Sequence, residues 1–256
     1  MGFYRGPQIV TSGLVMYLDA GNTKSYPGTG TTWYDRAGNL NGGVVNNGAL
    51  INSPTFDSGN KGSLVFNGIN QYVTCGNATI LQTFSQITLN TWVKFSGLDY
   101  VNNTGSLVTF INKGQTDNNP LSGATSGFWF SYDNRLNRNN FSYTCFGNIS
   151  GGYAGGGNNF GTKSYNFING VWYNITVTIN TSSQGSIFIN GIQQGTPVTF
   201  SNLNLSNTTN NLQVGSYITN SVPMNGNISN TQLYNRALSA TEVLQNYNAL
   251  KSRFNL

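Results

Sequence analysis

The sequence predicts an all-β, antiparallel fold closed by one C-terminal helix, and three observations carry that expectation. Tyr173, Ile175, Val177 and Ile179 alternate with Asn174, Thr176, Thr178 and Asn180, the period-two pattern of a strand with one buried face. Turn formers punctuate the chain throughout, among them Asn190-Gly191, a pair that tolerates positive φ. Helical spacing occurs near the C-terminus, where Val243, Tyr247, Leu250 and Phe254 fall on one face.

In chain order, Gly13–Asp19 is the first strand, and its near-continuous apolar run implies burial on both faces. A loop-rich region follows. It holds one compact knot, Thr32–Asn39, in which Trp33 packs inward, with sugar stacking as the alternative, and Asp35 accepts amide hydrogen bonds in an Asx turn. Ser63–Phe66 and Tyr72–Cys75 flank Asn67-Gly68-Ile69-Asn70 as a strand-turn-strand unit. Ile87, Leu89, Val93 and Phe95 mark a long strand with Trp92 on its other face. Ser106–Ile111, Phe128–Tyr132 and Phe141–Cys145 are three further strands, and the glycine-rich run within Gly147–Gly161 is a loop. Trp172–Asn180 and Ser186–Ile192 are joined by a reversal at Gln184-Gly185. Leu212–Gly215 and Gly226–Tyr234 complete the β-region. Ser239 and Glu242 then form a capping box that starts a helix over 239–254. No linker divides the chain, so residues 1–256 read as one domain, with residues 1–12 as an N-terminal arm.

Composition narrows the function classes. Charged residues are 7% of the chain, against about 25% in ordinary domains. The net charge of +5 is spread from Arg5 to Arg253, which argues against nucleic acid as a partner. No apolar run reaches membrane-spanning length, and the N-terminus lacks the apolar core of a signal peptide. Cys75 and Cys145 form no metal-type pair; two buried free thiols are the default reading and a disulfide between them the alternative.

The catalytic inventory is thin. The chain has no histidine, which removes Ser-His-Asp and Cys-His catalysis and the usual zinc sites. Of its seven acids Glu242 is the only glutamate, and it is accounted for as a cap. The aspartates Asp19, Asp35, Asp57, Asp99, Asp117 and Asp133 are isolated in sequence, without the close carboxylate pair that glycosidases use. No phosphate-cradling loop is present. The expectation is a protein that is not an enzyme.

The motifs, in order, resemble the laminin-G-like, concanavalin A-like jelly-roll family. They are Leu18-Asp19, Asp35-Arg36-Ala37-Gly38-Asn39, Phe66-Asn67-Gly68-Ile69-Asn70-Gln71-Tyr72-Val73, the Trp92 strand, Trp172 with the strand ending at Asn190-Gly191, and Gly226 to Ser239. The resemblance implies an antiparallel jelly-roll β-sandwich. It also implies a structural Ca²⁺ held by Asp19, with Asn67 giving a neutral carbonyl where the family has Asp; the lost charge weakens that site.

A nearer resemblance is to short virion structural proteins of marine tailed phages, including cyanophages. It rests on the opening Gly2-Phe3-Tyr4-Arg5-Gly6-Pro7, the run Tyr17 to Asp35, and the ending Tyr234-Asn235-Arg236-Ala237-Leu238-Ser239-Ala240-Thr241-Glu242-Val243. It implies a non-enzymatic surface protein of capsid or tail, made in the host cytoplasm and present in many copies, with other virion proteins as partners. Phe3, Tyr4 and Arg5 are the candidate contacts, since aromatics and Arg are enriched at interfaces. The alternative is a glycan-binding module for host attachment, with Tyr153, Phe160 and Tyr165 as candidate sugar-facing aromatics.

Overall fold

The computed structural model describes residues 7–38, 46–98, 107–114, 127–133, 140–145, 165–200, 203–206, 209–217 and 223–256. In chain order the strands are β1 (Leu14–Asp19), β2 (Thr32–Trp33), β3 (Gly48–Ile51), β4 (Thr55–Asp57), β5 (Ser63–Asn67) and β6 (Tyr72–Thr74). Then come β7 (Ile87–Phe95), β8 (Leu107–Gly114), β9 (Gly127–Asp133), β10 (Asn140–Cys145) and β11 (Trp172–Ile179). The last are β12 (Gln184–Ile189), β13 (Ile192–Gln193), β14 (Val198–Thr199), β15 (Gln213–Val214) and β16 (Asn225–Tyr234). Helix α1 (Ala240–Leu250) follows, ending in a 3-10 turn at Lys251–Phe254.

The strands form two antiparallel sheets. Sheet A runs β13-β12-β11-β7-β16-β5-β4, with β1 also on β16 and β14 on β12; sheet B runs β10-β9-β8-β15-β6-β3-β2. One core fills the space between them. Val93, Ile175 and Ile228 of sheet A meet Val73, Ile111 and Val214 of sheet B, all at most 2% exposed. The architecture is the expected two-sheet sandwich with a single C-terminal helix.

Two local expectations change. β5 joins sheet A and β6 joins sheet B, so Asn67–Asn70 carries the chain between sheets rather than closing a hairpin. Asn67 still organises that turn: its Oδ1 accepts from the amides of Ile69 (2.9 Å) and Asn70 (3.2 Å). Gln184 and Gly185 lie inside β12, and the reversal falls earlier. There Asn180 Oδ1 accepts from the amides of Ser182 and Gln184, both at 3.0 Å, and Ser183 takes φ 57°. The second reversal is where the sequence puts it, with Asn190 and Gly191 at φ 52° and 78°.

The polar positions of β11 are buried too, because the outer face of sheet A is covered. Asn174 Nδ2 and Thr176 Oγ1 both donate to Asn90 Oδ1 (2.6 and 2.9 Å), and Asn90 Nδ2 donates to Gln232 Oε1 (2.8 Å). Helix α1 lies over this network. Its Asn246 donates to the Tyr234 hydroxyl (3.0 Å) and accepts from the Val10 amide (2.7 Å).

The helix starts on a complete capping box: Glu242 N donates to Ser239 Oγ, and Ser239 N donates to Glu242 Oε2. Arg236 clamps the same carboxylate at 2.9 and 2.6 Å, which holds it down at about 2. Val243 is buried with Leu14 and Tyr17 of β1. Farther along, Trp92 stacks on Tyr247 (5.7 Å, 10°) and on Phe254 (4.1 Å, 14°). Of the predicted apolar face, Val243 docks beside the first strand while Tyr247, Leu250 and Phe254 pack on Trp92 and Trp172, and β1 itself pairs with β16. Cys75 is a free thiol in the core, and burial pushes its pKa up.

Candidate functional site

Phe3, Tyr4, Arg5, Tyr153 and Phe160 lie outside the described residues. Tyr165 is described and packs against the core. Its ring meets Phe167 at 4.9 Å and Tyr173 at 5.9 Å, and its carbonyl accepts from the Tyr132 hydroxyl at 2.9 Å. It is a half-buried member of an aromatic cluster, not a free-standing platform.

Asp19 and Asn67 do not make a calcium site together. Asp19 pairs with Asn230 and Asn67 with Asn225 along the same strand, β16. That register separates them by about 17 Å at the usual rise per residue. The oxygens of Asp19 are also engaged. Oδ1 accepts from Arg253 (2.8 Å) and the Gly21 amide (2.9 Å), and Oδ2 from the Tyr17 hydroxyl (2.8 Å). A guanidinium stands where a cation would neutralise the carboxylate. Among the described residues no group of three or more His, Cys, Asp and Glu side chains comes together.

Asp35, Asp57 and Glu242 are likewise committed to structure. Asp35 Oδ1 accepts from the amides of Tyr17 and Ala37 and its Oδ2 from that of Asn46, each at 2.8 Å. Burial raises its pKa, and these amides oppose the rise. Asp57 Oδ1 accepts from the Gly59 amide at 2.8 Å, and Glu242 is held by Arg236 and the helix start. This arrangement pins loops and termini to the sandwich.

Sheet B offers something different. Cross-strand registers align Trp129 of β9 with Asn112 of β8, Asn112 with Gln213 of β15, and Gln213 with Thr74 of β6. Residues opposite one another in a sheet share a face. The next row, Phe130, Ile111, Val214 and Val73, faces the core, so the Asn112 row faces outward. In that row Asn112 Oδ1 and Nδ2, Gln213 Oε1 and Thr74 Oγ1 have no hydrogen-bond partner. Asn112 is 1% exposed, whereas Gln213 and Thr74 are half-buried, so the row deepens from β6 toward β8. At its deep end Trp129 packs against Tyr217 (4.4 Å) and donates through Nε1 to Thr109 Oγ1 (2.9 Å).

An unpaired buried amide costs about 1–3 kcal/mol, and such groups in native proteins are met by water or a ligand. Beneath α1, Asn230 and Trp92 Nε1 also lack partners, but the helix seals that side and both residues are 0% exposed. The unpaired atoms of the sheet-B row are buried as well, although Gln213 and Thr74 are half-buried as residues. Lys113, next to Asn112, projects to the opposite face, where its amine donates to Asn77 Oδ1 (2.7 Å) and the Asn210 carbonyl (2.5 Å). Burial lowers that amine to about 8.

Sequence reasoning did not find this row. Residues 74, 112 and 213 come from distant strands, and each alone is an ordinary polar position of an alternating pattern. Among the described residues no helix is long and apolar enough to cross a membrane.

Comparison with known proteins agrees with the architecture. The sequence profile of the concanavalin A-like lectin/glucanases superfamily matches residues 67–244, well over half of the chain, and the chain belongs to that family. No curated protein sequence matches it. Among solved structures, the binding domain of Paraclostridial Mosquitocidal Protein 1 superposes with a TM-score of 0.65 at 16% identity, over 93% of this chain and 52% of that one. Domain 4 of AbnA, an extracellular arabinanase from Geobacillus stearothermophilus, solved with arabinotriose, gives 0.63 at 16% identity, over 91% and 98%. Trypanosoma rangeli sialidase, solved with sialic acid, gives 0.58 at 17% identity, over 94% and 33%. The chain thus spans about a third of the sialidases it matches, and at these identities the likeness is one of fold.

Proposed function

We propose that this concanavalin A-like domain is a non-enzymatic glycan-binding module whose binding surface is the outer face of sheet B. The observation that carries the reading is the Asn112–Gln213–Thr74 row beside Trp129. It holds amide and hydroxyl atoms that are buried and have no protein partner, and these are groups of the kind that pair with sugar hydroxyls. An arabinanase domain of the same fold was solved with arabinotriose, which supports sugars as the ligand class. The non-enzymatic part is supported by the structural engagement of Asp19, Asp35, Asp57 and Glu242.

A glycan array probed with the full chain tests the reading. Binding to a defined set of glycans that falls sharply in Gln213→Ala, with the glycans left uncleaved, is the expected result. Absence of binding to any printed glycan, or turnover of one, overturns it.

A second reading, a surface component of a phage particle, is favoured by the terminal runs Gly2–Pro7 and Tyr234–Val243. The two are compatible, since a many-copy module on a particle gains attachment strength through multivalency. Mass spectrometry and imaging of intact particles decide it: the protein present on the particle surface is expected, and its absence from purified particles rules the reading out.

A further inference from the structure

We draw no further inference here: the strongest candidate, the buried Lys113 amine near the end of β8 with its bonds to Asn77 Oδ1 and the Asn210 carbonyl, carries nothing beyond the structural tie already described, since only its lowered pKa sets it apart.

Discussion

Arg253 and Asp19, 234 positions apart in sequence, form an ion pair 2.8 Å long with side chains only 9% and 7% exposed. It ties the end of the chain to the end of β1, and Arg253 also donates to Ser229 Oγ at 2.8 Å. Removing one partner of a buried pair leaves the other uncompensated. Arg253→Met should therefore destabilise the protein by about 3–5 kcal/mol. In a denaturant-unfolding cycle the double variant with Asp19→Asn should lose less than the sum of the singles, and strict additivity would show the pair to be uncoupled.

The Trp92 stack gives a second expectation. Phe254 sits 4.1 Å from Trp92 and 4.7 Å from Trp172. Phe254→Ala should cost about 3–5 kcal/mol and shift tryptophan emission to the red. An unchanged midpoint and spectrum would place the C-terminal turn outside the cooperative core.

Glu242 governs the acid side. Its folded pKa lies at about 2, below the ordinary 4.5, chiefly through Arg236 and despite burial. A depressed carboxylate contributes stability above its unfolded pKa and loses it as pH falls through the folded one. The carboxylate is 30% exposed, so solvent screening reduces the contribution to about 1 kcal/mol. Between pH 4.5 and 2 the wild type should lose about that much more stability than Glu242→Gln, measured by urea midpoints.

Lys113 governs the alkaline side, with the opposite sign. Its folded pKa of about 8 lies below the ordinary 10.5, so the folded state disfavours the protonated amine. That penalty is full below pH 8 and vanishes as pH rises through 10.5, a gain of at most about 3 kcal/mol. Cys75, raised by burial above its ordinary 9.0, opposes the gain from about pH 9 upward, and Tyr17 and Tyr234, raised above 10 mainly by burial, from about pH 10. Stability should climb from pH 8 to 9 in the wild type and fail to climb in Lys113→Met. A rise of equal size in both would assign it to other groups.

How far the sequence exposes these features depends on how local their causes are. The helix start is readable because Ser239 and Glu242 are three residues apart and satisfy each other. The turn at Asn190-Gly191 and the Asp35 knot are readable for the same reason. The sheet assignment of β5 and β6 is not, because Asn67-Gly68 would serve a hairpin or a crossover equally well. Asn174 and Thr176 look like a solvent face, and only the overlying helix and Asn90 make them interior. The pairing of Asp19 with Arg253 needs both ends of the chain in place. The sheet-B row is the extreme case, since register alone unites Thr74, Asn112 and Gln213.

The placement of β1 against β16, with Val10 held by Asn246 236 positions away, has a consequence for biosynthesis. The apolar run Leu14–Asp19 leaves the ribosome well before its partner strand Asn225–Tyr234. At translation speeds of about 5–20 residues per second, it waits on the order of ten seconds or longer with neither its backbone nor its side chains covered. Nascent chains halted before Asn225 should accordingly be cut readily by protease within residues 14–19, whereas released full-length protein resists. This pairing closes only once β16 has emerged, so Leu14–Asp19 depends on chaperone cover during that interval.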